Sequence, residues 1–113
     1  MTQARFVHDG KAIDYTPGAD VAAGQVVVLG SLVAVAKIDI PAGRTGALHT
    51  VGVYDVAKAT GASTAIAVGA NVYWDEAEAV AKTDDESGAN KYLGKTVAAA
   101  GDDDATVRVR LSQ

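Results

Sequence analysis

The run GQVVVLGSLVAVAK, residues 24–37, decides how the rest of this chain is read. Gln25-Val26-Val27-Val28-Leu29 leads into Gly30-Ser31, and Leu32-Val33-Ala34-Val35-Ala36 leads out. A two-residue loop that starts with Gly suits the type II′ turn, whose twist matches that of two paired antiparallel strands. The β-branched residues on both arms favour the strand state. The segment therefore reads as a β-hairpin, and one that is apolar on both sides. Successive strand side chains point to opposite faces, which sets Val26, Val28, Leu32, Ala34 and Ala36 against Val27, Leu29, Val33 and Val35. Two arrangements would cover both faces. The hairpin is packed between a second sheet and a loop, or one face is closed by a neighbouring copy of the chain.

Outward from the hairpin, turn signals recur at short intervals: Asp9-Gly10, Pro17-Gly18, Pro41-Ala42-Gly43, Ser87-Gly88 and Gly101-Asp102. Short β-branched runs between such punctuation point to an all-β sandwich or barrel. Near the other end Val107, Val109 and Leu111 alternate with Thr106, Arg108 and Arg110, the pattern of a strand with one dry and one wet face. The hairpin also has an echo. GANVYWDEAEAVAK, residues 69–82, aligns with residues 24–37 without a gap, Gly24 on Gly69 and Ala34-Val35-Ala36-Lys37 on Ala79-Val80-Ala81-Lys82. Propensity alone would make residues 75–82 a short helix with Asp75 as N-cap. The echo predicts instead a turn over residues 75–78 and a strand after it. Residues 62–68 are open to helix or loop. The expected fold is all-β with room for one short helix, a compact β-barrel or β-sandwich built around two related strand–turn–strand units. Residues 1–16 form an N-terminal strand or arm, and residues 17–113 a single β-rich domain.

Composition narrows the chemistry. The 113 residues suit one domain, since domains commonly run from about 50 to 250 residues. Hydrophobic residues make up 49% of the chain, yet aromatics only 5%, beside 12 Gly, so the core is built from small side chains and few large ones remain to line a pocket. Without Cys there is no disulfide, thiolate zinc site or cysteine nucleophile. A net charge of -4 and a pI near 4.9 argue against a nucleic-acid partner, which calls for a basic stripe. No apolar run approaches the roughly 20 residues of a membrane span, so no membrane partner is expected. The opening MTQARFVHDGKAIDY lacks the basic flank and apolar run of a signal peptide, which implies synthesis in a cytoplasm.

Few residues invite a chemical role. Gly94-Lys95-Thr96 echoes the end of a phosphate loop, but Gly88 lies one residue too far upstream and no helix follows. The acidic runs Asp84-Asp85-Glu86 and Asp102-Asp103-Asp104 lack the alternate spacing of a calcium loop and read as solvated turn tips. His8 and His49 stand far apart and suggest no metal site. Asp55 and Asp75 are strand-end carboxylates with nothing to pair them as acid and base. No catalytic, cofactor or metal residue is assigned. Arg108 and Arg110 share one strand face, either solvated or set against a partner's carboxylates. Tyr73 and Trp74 read as core or interface anchors. If a neighbouring copy closes the hairpin, the interface candidates are Val27, Leu29, Val33, Val35, Trp74, Arg108 and Arg110.

Taken in order, FVHDGKAIDYTPGADVAAGQVVVLGSLVAVA, IPAGRTGALHTVGVYDVAKA, GANVYWDEAEAVAKT, YLGKTVAAA and ATVRVRLSQ resemble a family of small tailed-bacteriophage proteins associated with capsid cement, or head decoration. The family was long known only as uncharacterised and sometimes carries a recombinase-like label, which the mis-spaced phosphate loop speaks against. The resemblance covers nearly the whole chain. It implies a non-enzymatic structural protein on the outer surface of the virion capsid. Such a protein binds the expanded shell, bridges major capsid protein subunits and needs no cofactor. It also implies a homo-oligomer, with a trimer the expected state. Under that reading Thr2, Gln3, Ala4, Arg5, Phe6, Val7 and His8 are the candidate capsid contact, adding as a strand to an exposed capsid edge. The alternative is a small oligomeric β-barrel acting as a binding or adaptor module elsewhere on a phage particle.

Overall fold

The hairpin stands where residues 24–37 place it, in a computed structural model that describes residues 3–111. Strand β2 (Val26–Leu29) turns through Gly30 and Ser31 into β3 (Leu32–Ala36). Before it runs β1 (Ala12–Tyr15), and after it β4 (Gly46–His49), β5 (Gly52–Ala57), β6 (Asn71–Asp75), β7 (Val80–Lys82), β8 (Lys91–Thr96) and β9 (Thr106–Leu111). Residues 12–49 build one antiparallel sheet in the order β1-β4-β3-β2, and residues 52–111 build a second in the order β5-β9-β8-β6-β7. A single 3-10 turn, Glu86–Gly88, is the only helical element among the described residues. No helix there is long and apolar enough to cross a membrane.

Register corrects the two faces expected of the hairpin. Leu29 pairs with Leu32, Val28 with Val33, Val27 with Ala34 and Val26 with Val35. Directly opposed residues in an antiparallel pair lie on the same face. Val26 and Val28 therefore share a face with Val33 and Val35, while Val27 and Leu29 go with Ala34 and Ala36. The first set meets Val56, Val72, Trp74, Leu93, Val107, Val109 and Leu111 of the second sheet in the main core. The second set meets Leu48, Ile13 and Tyr15 of its own sheet together with Val21 and Ile40. Val21 and Ile40 come from the loops that flank the hairpin and exchange backbone hydrogen bonds of 2.9 and 2.8 Å. A second sheet and a loop thus cover the two faces. Each buried Val or Leu contributes roughly 1.5–3 kcal/mol to this packing.

The alternation in β9 is as expected: Val107, Val109 and Leu111 are buried, Thr106, Arg108 and Arg110 exposed. Residues 76–79 turn and Val80–Lys82 forms a strand, so the echo outweighed helix propensity. Residues 62–68 form a turn and one isolated bridge at Ile66, with no helix.

The echo itself is deeper than the ungapped alignment, and differently placed. Gly24 and Gly69, with φ of +85° and +75°, turn the chain into β2 and β6. The Gly24 N–H donates to the Ala36 carbonyl at the end of β3, and the Gly69 N–H to the Thr96 carbonyl at the end of β8. Val21 bridges Ile40, four residues beyond Ala36, and Ile66 bridges Ala100, four beyond Thr96. The counterpart of β3 is therefore β8, not β7. Each sheet repeats one Greek-key order, β1-β4-β3-β2 in the first and β5-β9-β8-β6 in the second, with β7 an extra strand along β6.

Candidate functional site

Three surfaces are candidates for contact with other molecules. The first is the segment before β1. Residues 3–10 lie outside any strand and are exposed along their length, and Phe6 and Val7 remain 80% and 78% accessible. Its ties are local: the Thr50 hydroxyl donates to the Gly10 carbonyl, and the His8 ring meets the Asp9 carbonyl. Of the residues expected to touch a capsid, Gln3, Ala4, Arg5, Phe6, Val7 and His8 belong to this arm, and Thr2 lies outside the described residues.

The second is a groove of about 600 Å³ between the free edge of β2 and the second sheet, lined by Val26, Val28, Tyr54, Trp74, Asp55 and Glu76 among others. It forms because β2 ends its sheet, so nothing continues the layer above β5 and β6. Burial pushes the Tyr54 hydroxyl's pKa above its ordinary value. Val33, Val35 and Trp74, expected at an interface between copies, are buried in the chain's own core. Val27 is buried on the opposite face and Leu29 is half-buried.

The third is the wet face of the second sheet. Arg108 stands opposite Asp55 in the β5–β9 register and binds it through two nitrogens, Nε at 2.9 Å and Nη2 at 3.2 Å. The Arg108 hydrogen bond holds the Asp55 carboxyl below its usual pKa. Beside this pair, Arg110 pairs in register with exposed Val53 and with Lys95, whose ammonium donates to the Asn71 side chain at 2.6 Å. Arg108 is thus engaged within the chain, while Arg110 points to solvent without an ion pair among the described residues.

One carboxylate cluster lies at the end of the β6–β7 hairpin. Asp75, Glu78 and Glu86 bring oxygens within 4.8 Å of one another, and the Lys82 ammonium sits among them. Lys82 Nζ lies 2.9 Å from Asp75 and 3.3 Å from Glu86, and also binds Glu78. The lysine and the Glu78 backbone N–H hold the Asp75 pKa down at about 2. The three carboxylates in turn raise that of Lys82. This cluster carries its own cation. Asp55 and Asp75 each answer to a separate basic partner.

A family model described as phage cement protein matches residues 7–111. The chain belongs to the phage cement protein family. No curated protein and no solved structure matches it. The family is structural and ties the protein to the phage capsid.

Within this cement protein the residues that resembled functional motifs serve the fold. Gly94, the glycine of the phosphate-loop echo, is buried in β8, where an added Cβ would stand 1.9 Å from the Arg110 carbonyl oxygen of β9. It is glycine because two backbones meet there. Asp102 accepts hydrogen bonds from the Thr64 and Ala65 N–H groups at 3.1 and 2.8 Å, so an expected solvated turn tip tethers the loop over residues 61–66. Sequence reading missed Lys58 altogether. It is only 5% exposed, and its ammonium reaches the carbonyls of Ala59 and Asp104 and the Thr64 hydroxyl at 2.7, 3.1 and 3.2 Å. Its one sequence signal is position, since it follows Val56 in strand alternation and should face inward.

Proposed function

We propose that this protein decorates the outside of an expanded phage head and stabilises it by bridging major capsid protein subunits, working as a homo-oligomer, with a trimer the expected state. The family match over residues 7–111 carries this reading. The small-residue build supports it: the core is made mostly of Val, Ala, Leu and Ile, and apolar residues not used inside the chain, such as Phe6 and Val7, lie on its surface. A bridging role needs no deep pocket and no strong single contact, because many copies bound to one shell act together. The exposed arm is the segment free to add as a strand to an open sheet edge.

The test is co-sedimentation of the purified protein with expanded and with unexpanded heads of the cognate phage. Binding to expanded heads, with greater resistance of those heads to heat, is the expected result. Equal binding to both forms, or to neither, overturns it. Capture by isolated tails instead would establish the adaptor reading.

A further inference from the structure

The two sheets repeat one strand order, and they differ at one edge. In the second sheet β6 is flanked on its outer side by β7. In the first sheet β2, the counterpart of β6, has only β3 beside it among the described residues. Hydrogen-bonded and non-bonded pairs alternate along an antiparallel ladder. The Ala36 N–H donates to the Gln25 carbonyl, so Gln25, Val27 and Leu29 bond inward to β3. The backbones of Val26 and Val28 point outward with no strand among the described residues to meet them.

What lies beside that edge defines the strand that would fit. A strand added to β2 turns one face into the inter-sheet groove, towards Val26, Val28 and Trp74, and the other towards Val27 and Leu29. Both faces are apolar, so the incoming strand needs neighbouring apolar residues. The chain has such a pair in Phe6-Val7, both exposed and without a home. Arg5 precedes them, and the groove's rim carries Asp55 and Glu76, the latter with no ion pair among the described residues. The arm leaves from β1 at the opposite edge of the sheet, roughly 14 Å from β2 at about 4.8 Å per strand.

We propose that residues 3–8 of one copy add as a strand to β2 of a second copy, Phe6 filling the inter-sheet groove and Val7 covering Val27 and Leu29. The contact is head-to-tail, one copy's arm on the next copy's edge, and a head-to-tail contact that closes makes a ring. This gives the oligomer in the proposed function a structural basis, but it is a property of the chain in solution and does not depend on head binding.

The experiment compares the full chain with its Phe6→Asp/Val7→Asp variant by sedimentation and by residue-resolved amide hydrogen exchange. Both substitutions fall on exposed arm residues, so the fold should stand. The full chain should sediment as an oligomer, with the Val26 and Val28 amides protected. The variant should sediment as a monomer, losing protection at those two amides and keeping it at Val27. A full chain that is monomeric with freely exchanging Val26 and Val28 overturns the proposal. Protection that persists in a diluted, monomeric full chain also overturns it, by showing that the arm folds onto its own edge. A variant that keeps its mass yet fails to bind heads overturns it as well, while leaving the head-binding function intact.

Discussion

Replacing Gly94 by Ala is the sharpest test of how the two sheets are built. A Cβ at Gly94 would lie 1.9 Å from the Arg110 carbonyl oxygen, 2.9 Å from its carbon and 3.1 Å from the Leu111 Cα. All three are backbone atoms of β9, so no rotamer relieves the overlap. Carbon and oxygen approach to about 3.3 Å at closest in sheets, so β8 and β9 must part by at least about an ångström. Overpacking of this kind costs about 1–3 kcal/mol. Parting the strands at the Gly94–Leu111 and Lys95–Arg110 pairs also forfeits one or two ladder hydrogen bonds, at about 1 kcal/mol each. The sum is about 2–5 kcal/mol, a large share of the roughly 5–15 kcal/mol that holds a typical domain. Thermal unfolding at matched protein concentration should show Tm lower by on the order of 10–20 °C. Two controls separate causes. For a Cβ at Gly46 the three nearest atoms belong to the Ile40 side chain rather than to backbone, at 2.7, 2.9 and 3.0 Å, so Gly46→Ala should cost about 1–2 kcal/mol. Gly43 has open space and a φ of +77°, so Gly43→Ala should cost only the left-handed backbone, about 1 kcal/mol. A Gly94→Ala protein that melts no lower than either control would refute the placement of β8 against β9.

Other expectations concern the charged groups. The Asp75 pKa is lowered from 3.8 to about 2, so its stabilising contribution is complete above the unfolded value and is lost as pH falls through about 2. Urea midpoints measured across that range should fall less steeply in Asp75→Asn than in the parent, and parallel curves would sink the assignment. Lys82 is shifted the other way, above 10.5, so its contribution is present below that value and is lost only in stronger alkali, as pH rises through the raised pKa. Lys58→Met keeps the buried stem but leaves the Ala59 and Asp104 carbonyls without their ammonium, at a cost of about 2–3 kcal/mol. Amide exchange should quicken over residues 59–66 and 102–104, and an unchanged pattern would show that the lysine ties nothing. Asp55 and Arg108 form an exposed pair, and such pairs add little to stability. Arg108→Ala should therefore leave Tm almost unaltered, and a large fall would mean that the pair is buried in an assembly.

What was legible in the sequence was whatever strand periodicity writes directly. The Gly30-Ser31 hairpin and the alternation of residues 106–111 needed only a period of two and a turn signal. A turn after β6 was legible through comparison with residues 24–37, against helix propensity, though it was expected over residues 75–78 and falls at 76–79, with Asp75 still in the strand. The grouping of hairpin faces failed for a simple reason. A two-residue turn pairs Leu29 with Leu32, so odd-numbered residues of β2 share a face with even-numbered residues of β3, and parity does not carry across the turn. The same alignment matched β3 to β7, because Ala-Val-Ala-Lys occurs in both, whereas hydrogen bonding makes β8 the counterpart. Long-range contacts were out of reach. Nothing near Lys58 in sequence announces that Asp104 closes over it, and nothing near Gly94 announces the Arg110 carbonyl.

The duplicated strand order explains why one sheet is a better place for partners than the other. Open strand edges invite pairing with other chains, and proteins manage them by covering or closing them. In the second sheet β7 lies along β6, and a parallel bridge between Lys58 and Ala81 links the end of β5 to β7, so its two edges are tied together at one end. The buried Lys58 ammonium pins that junction to the loops at Ala59, Thr64 and Asp104. The first sheet has no such strand. Its β1 edge runs on into the exposed arm, and its β2 edge opens on the apolar groove. One half of the duplication has its two edges tied together at one end. The other half keeps an exposed arm and an open edge, the pair of features that the proposed head-to-tail contact uses.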